Sequence, residues 1–211
     1  PYCCPDTADP PGMLSLEEQV RLIRVAANLG AHTLRLTGGE PLLSERLLPL
    51  LERVAMGRRT SGDPLQGLRQ VALTTNGVLL TQERAKALHS VGLERITVSL
   101  DAVEGAVVAR MAGLRGGGPA GDRLVGQVLA GLAAARSAGF DPAEGALKLN
   151  AVIQRGVNDD QLIPLAELAR QHRLELRLIE YMDVGNRNGW AMEHVLPAAV
   201  MIDRIHRHWP L

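Results

Sequence analysis

The 211-residue sequence predicts an α/β protein, a parallel sheet curled into a TIM-like barrel or part of one. Three observations carry that expectation. Apolar residues alternate between a helical period and short buried-looking runs from one end of the chain to the other. Five such runs occur, and none shows an antiparallel return. Each run ends in polar or glycine residues, namely Thr37-Gly38-Gly39-Glu40, Thr74-Thr75-Asn76-Gly77, Ser99-Leu100-Asp101, Asn150 and Glu180-Tyr181-Met182. A barrel gathers its strand ends at one mouth, whereas a doubly wound sheet concentrates ligand chemistry at one switch point, so the even spread favours the barrel.

The elements follow in order. Leu16, Val20, Ile23, Ala26 and Ala27 share one face of a helix that opens on Ser15, with Glu18 completing a capping box, and stops at Gly30. A strand from His32 to Thr37 leads through Gly-Gly-Glu-Pro into a helix from about Ser44 to Met56, and a polar loop follows to Gly67. The pattern repeats with a strand from Gln70 to Thr75, a helix from Thr81 to Val91 and a strand from Arg95 to Leu100. Gly113 to Gly121 is glycine-rich and predicts a mobile loop before an Ala/Leu helix from Asp122 to Ala138. A strand from Ala146 to Ile153, a helix from Asp159 to His172 and a strand from Glu175 to Tyr181 come next. Asp183 to Gly189 predicts a turn, and Ala198 to His208 a last helix.

Composition removes several function classes. Lys plus Arg (23) equals Asp plus Glu (23), so no global field attracts nucleic acid or an anionic membrane, and any anionic ligand must be held by a few local charges. Tyr2, Phe140, Tyr181, Trp190 and Trp209 are too few to build a base-stacking platform. The sequence lacks G-x-S-x-G, P-loop and H-E-x-x-H patterns, leaving serine hydrolysis, Walker-type ATPase chemistry and zinc proteolysis without support. Cys3 and Cys4 are adjacent and form no disulfide framework, which points to a reducing, cytoplasmic setting. The six histidines show no metal-ligand spacing and are expected at the surface.

Arg35 and Lys148 are the unusual residues, because each interrupts an apolar strand. Strand alternation puts both on the face opposite Leu34, Leu36, Leu147 and Leu149, pointing into a barrel mouth that must then offer an anion. The simpler reading is a buried stem with its charge at an edge. Arg177, on the strand leading to Glu180, poses the same question, and Glu180 is its candidate partner. Gly39 allows close backbone approach of a ligand, with the Glu40 carboxylate ready for an amino group.

Taken in order, Tyr2-Cys3-x-Pro5, Leu34 to Leu42 with Gly-Gly-Glu-Pro, Thr74-Thr75-Asn76-Gly77, Val98-Ser99-Leu100-Asp101, Lys148-Leu149-Asn150-Ala151-Val152 with Gly156-Val157-Asn158-Asp159-Asp160, and Arg177-Leu178-Ile179-Glu180-Tyr181-Met182 closely resemble the radical SAM enzymes. Within them the resemblance is to the MoaA-type GTP 3′,8-cyclases of molybdenum cofactor biosynthesis. It implies a single partial (β/α)6 radical SAM core over residues 1–211, without its first strand and without the family's C-terminal cluster region. It also implies a [4Fe-4S] cluster, S-adenosylmethionine and GTP. Of the family's cluster motif C-x-x-x-C-x-Y-C only the last cysteine matches, as Cys3, so two cluster ligands are expected to precede Pro1.

The resemblance assigns Gly39 and Glu40 to the amino acid moiety of S-adenosylmethionine, Ser99 and Tyr2 to its adenosine, Met182 to adenine and Arg177 to the carboxylate. Arg35, Thr74 and Lys148 fall to GTP phosphate or ribose. A 5′-deoxyadenosyl radical would take the ribose 3′ hydrogen, and the carbon radical left behind would attack guanine C8. The rivals are another radical SAM enzyme with a different substrate and a non-catalytic nucleotide-binding fragment. An exposed edge on the 32–37 strand further suggests a homodimer, and the implied product would pass to a pterin-forming enzyme.

Overall fold

The computed structural model describes residues 12–183 and 190–210. Five strands form one sheet: β1 (Thr33–Leu36), β2 (Gln70–Thr75), β3 (Arg95–Ser99), β4 (Leu147–Ile153) and β5 (Glu175–Glu180). They pair in the order β1-β2-β3-β4-β5, every pair parallel. Spatial order equal to sequence order is the winding of barrel staves and has no reversal point, so the fold is a partial TIM-like barrel rather than a doubly wound sheet. Seven helices accompany it among the described residues: α1 (Leu16–Asn28), α2 (Leu47–Arg59), α3 (Gln82–Ser90), α4 (Gly105–Ala112), α5 (Gly117–Ser137), α6 (Leu162–Gln171) and α7 (Ala198–His208).

The register divides the sheet into two chemically different faces. Leu34, Leu36, Val71, Leu73, Ile96, Val98, Leu147, Leu149, Ala151 and Ile153 lie on the helix-covered side, within the hydrophobic core or packed against it. The alternate positions carry Arg35, Thr74, Arg95, Thr97, Ser99, Lys148, Asn150, Glu175 and Arg177. Parallel strands buried on both faces usually read as unbroken apolar runs. Here one face is apolar and the other is a polar lumen, as the alternation around Arg35 and Lys148 predicts.

Helix ends are set locally. Ser15 Oγ accepts from Glu18 N–H at 3.2 Å and Glu18 Oε2 accepts from Ser15 N–H at 2.8 Å, the capping box read from the sequence. Thr81 Oγ1 caps α3 through Arg84 N–H. Helix α2 starts at Leu47 rather than Ser44, because Pro41–Leu43 form a 3-10 turn after the Gly-Gly-Glu segment.

One expectation is overturned. The glycine-rich stretch from Gly113 to Gly121 is not a mobile loop: Gly113, at φ 66°, ends α4, a helix that the periodicity does not predict, and α5 begins at Gly117. The glycines serve two ends: Gly113, Gly116 and Gly117 take the positive φ of the tight connection, and Gly121 allows close helix contact. A Cβ on Gly121 would lie 1.8 Å from Gly105 O, and one on Gly105 would lie 2.0 Å from Asp122 Oδ1, so the two helices meet backbone to backbone. In a single sequence that packing need is indistinguishable from loop composition.

Candidate active site

The strand ends converge on one rim. At the β1 end, Gly38 (φ +146°) and Gly39 are exposed, and a Cβ at either would meet nothing within 4 Å, so the backbone there is open to a ligand. Glu40 is engaged by the protein itself. Its carboxylate accepts from Thr75 Oγ1 at 2.6 Å, Asn76 N–H at 2.7 Å and Leu42 N–H at 3.0 Å. Three protein donors use three of the roughly four acceptor positions of the carboxylate, so Glu40 knits the Gly-Gly-Glu-Pro turn to the Thr-Thr-Asn-Gly turn and keeps room for one further donor. Thr75 belongs to the apolar side of β2 and is buried, which draws Glu40 towards it. Gly77 closes that turn at φ +77°, and a Cβ there would press on Val98 Cγ1 at 2.9 Å.

The lumen holds the sequence-predicted cations. Arg35 Nη1 donates to Thr74 Oγ1 at 3.1 Å and to Thr97 Oγ1 at 3.5 Å. Burial first, then the positive charges of Arg95 and Arg177, lower its pKa from the ordinary arginine value. Lys148, 7% exposed, pairs with Glu175, whose other oxygen accepts from Arg177 Nε at 2.7 Å. The Lys148 and Arg177 hydrogen bonds hold the Glu175 carboxyl below the usual carboxylate range. Glu175 is therefore the anion the lumen needs. Glu180 is not Arg177's partner; it lies on the other face and accepts from Ala198 N–H at 2.6 Å, starting α7.

Ser99, Asn150 and Arg177 form the row at the mouth. Asn150 Oδ1 is buried with no hydrogen-bond partner among the described residues. Sequence reading misses it as a site residue, although the Lys-x-Asn alternation places it on the lumen face. Beside Ser99, a cavity of about 330 Å³ runs between the strand ends and α4/α5, lined by Asn76, Asp101, Val108, Met111 and Val128. Burial pushes the Asp101 carboxyl up to about 6, against the Val152 N–H it accepts at 2.8 Å. The Gly-Val-Asn-Asp segment fixes this rim: buried Asn158 donates to Asp101 O at 2.6 Å and Val152 O at 2.8 Å, and accepts from Gln154 N–H at 2.7 Å. Met182 follows β5 and is half exposed. Tyr2 and Cys3 lie outside the described residues. Among the described residues no cluster of three or more His, Cys, Asp or Glu side chains could hold a metal ion, and no helix is long and apolar enough to cross a membrane.

Residues 1–169 match the Radical SAM superfamily. The chain belongs to that superfamily. This radical SAM protein is 69% identical over all 211 residues to a GTP 3′,8-cyclase of Synechococcus sp. (strain WH7803), spanning 61% of that protein's length. It is 70% identical to the GTP 3′,8-cyclase of Parasynechococcus marenigrum (strain WH8102), again over 61% of the relative. A GTP 3′,8-cyclase of Xanthomonas campestris pv. campestris (strain B100) is 47% identical over 198 residues, 94% of this chain and 52% of that one. The radical SAM chain thus spans about three fifths of the length of the Synechococcus and Parasynechococcus relatives. Among solved structures, native anSMEcpe with bound AdoMet superposes with a TM-score of 0.66 at 14% identity, covering 99% of this chain and 55% of that one. Streptococcus suis SuiB bound to S-adenosylmethionine gives 0.66 at 15% identity, covering 98% and 43%. At such identities these two speak for the fold.

Proposed function

We propose that this chain is the radical SAM core of a GTP 3′,8-cyclase, acting in the first step of molybdenum cofactor biosynthesis. The observation that carries the reading is the cationic lumen, where Arg35 lies within the field of Arg177, and Arg177 and Lys148 share one carboxylate beneath a glycine-lined rim. The names of its relatives point the same way.

The residues suit S-adenosylmethionine. The open Gly38-Gly39 backbone accommodates its amino acid moiety, and Arg177 offers its carboxylate a charge-assisted bond. The orphaned Asn150 oxygen needs a donor, which a ribose hydroxyl supplies, and Ser99 adjoins it. The cavity beside Ser99 has the apolar walls that a nucleoside face requires. Met182 covers adenine from the β5 side, and the family resemblance gives Tyr2 to adenosine and Cys3 to the cluster. The cluster and S-adenosylmethionine, when bound, supply a hydrogen-abstracting radical; the chain supplies position and dryness. Glu40 holds the glycine turn against the next strand end and offers its remaining acceptor position to the ammonium of S-adenosylmethionine.

GTP takes the lumen. Arg35 and Lys148 bind its phosphates, and Thr74 holds Arg35 in the orientation that presents the guanidinium to them. Binding exchanges the Lys148–Glu175 pair for a phosphate contact or a shared one, so most of the lumen's uncompensated positive charge is neutralised by substrate. The ribose 3′ carbon would then lie between lumen and rim, facing the glycine turn that would hold S-adenosylmethionine. A homodimer and delivery of product to a pterin-forming enzyme belong to the same proposal.

The test is anaerobic reconstitution of the full-length enzyme with the Arg35→Ala and Lys148→Ala variants. Each should weaken GTP binding by about 1–3 kcal/mol, the loss of a charge-assisted bond, while reductive cleavage of S-adenosylmethionine persists. Normal GTP affinity in both variants would transfer the assignment to a radical SAM enzyme with another substrate.

A further inference from the structure

Arg95 is a lumen cation that neither the motifs nor the proposed nucleotide contacts use. It opens β3, one row deeper than Thr97, and the register sets it in line with Ala72 and Arg35. Ala72 is fully buried and carries only a methyl group, so two cations on β1 and β3 flank a small residue on β2. Arg95 Nε is buried with no hydrogen-bond partner among the described residues. Among the described residues its neighbour Arg35 has two threonine hydroxyls and no carboxylate. The carboxylate that the described strands turn to the lumen, Glu175, stands on β5 and is already shared by Lys148 and Arg177. The next carboxylate along the chain, Glu94, is committed to Arg58 at 2.9 Å and Val71 N–H at 2.7 Å. A buried guanidinium nitrogen without an acceptor, facing a like charge across an alanine, is an arrangement that an incoming anion completes.

We propose that Arg95 is a further substrate-binding residue: with Arg35 it forms an anion site one row below Lys148 that takes the distal phosphate of the nucleoside triphosphate. The proposal rests on the reading of the lumen as a nucleotide site and adds its depth. Two residues along a strand correspond to about 6.6 Å, so the phosphates run down the lumen from the Lys148 row to the Arg95 row. The site therefore counts phosphates, because a diphosphate engages the upper row and leaves the lower one empty.

The experiment measures GTP and GDP dissociation constants anaerobically on the full-length enzyme and its Arg95→Gln, Arg95→Lys and Lys148→Gln variants. Arg95→Gln should lower the preference for GTP over GDP at least fivefold with GDP affinity changed less than twofold, and Arg95→Lys should keep most of the preference. A merely structural role weakens both nucleotides together, which would overturn the proposal, as would an unchanged preference in Arg95→Gln while Lys148→Gln loses GTP affinity. An unaltered enzyme that binds GTP and GDP equally also overturns it while leaving the nucleotide reading standing; one that binds neither removes both.

Discussion

Asp101 shows how much a single buried group can be asked to bear. Its carboxylate stands at the rim with one backbone donor, and burial raises its pKa to about 6 from an ordinary 3.8. A raised carboxyl pKa means that ionisation opposes folding: the cost is fully present above pH 6 and vanishes as pH falls towards 4. Asp101→Asn keeps the acceptor for Val152 N–H, so it should be the more stable protein at pH 7 by on the order of 2 kcal/mol. Urea midpoints at pH 7, 5 and 4 should show that advantage closing, the other carboxylates being common to both proteins. A constant gap across the range would mean that Asp101 is already solvated. Thr74 and Thr75 make a different point at the same scale. Adjacent and chemically alike, they serve opposite faces, Thr74 holding Arg35 in the lumen and Thr75 holding Glu40 on the helix side. The sequence motif shows both residues and cannot say which does which.

At the level of elements, the α4–α5 hairpin carries the clearest energetic claim. Gly121→Ala would drive a methyl group into Gly105 O, and backbone cannot yield as a side chain can. The helices would have to separate, at a cost of about 3 kcal/mol or more, which corresponds to a melting temperature lower by on the order of 10 °C for a chain of this size. Gly126, on the same helix, has open space where a methyl group would go, with nothing within 4 Å, so Gly126→Ala should instead stabilise by about 0.5–1 kcal/mol through helix propensity. Calorimetry on the two variants separates close packing from propensity within one helix. The Gly-Val-Asn-Asp segment is likewise an element-level device. Buried Asn158 satisfies Asp101 O, Val152 O and Gln154 N–H at once, so Asn158→Ala should loosen the rim by about 2–3 kcal/mol without touching a lumen residue, as urea denaturation would register.

For the whole molecule the decisive quantity is where charge sits rather than how much there is. Formal net charge is zero, yet the lumen gathers Arg35, Arg95, Lys148 and Arg177, the last two sharing Glu175. On the proposed nucleotide reading, GTP binding to the full-length enzyme should weaken at least tenfold between about 0.1 and 1 M salt, as the screening length shrinks from ~10 to ~3 Å, while guanosine binding changes little. Equal salt slopes for the two ligands would place the phosphates outside the lumen. The order of strands, their parallel sense and the apolar-against-polar faces were legible in the sequence, because period-two alternation and capping residues are local and need no partner to be read. Ser15 and Glu18 announce α1, and Leu34-Arg35-Leu36 announces a strand with one charged face. Tertiary structure alone decided the rest. It turned the 113–121 glycines into a tight helix connection with Gly121 at the contact, committed the Glu40 carboxylate to a neighbouring turn, gave Glu175 rather than Glu180 to Arg177, and set Arg95 across Ala72 from Arg35. Each of these depends on which residues meet across strands or helices far apart in the chain, and a residue type in a single sequence carries no record of the partner it will face.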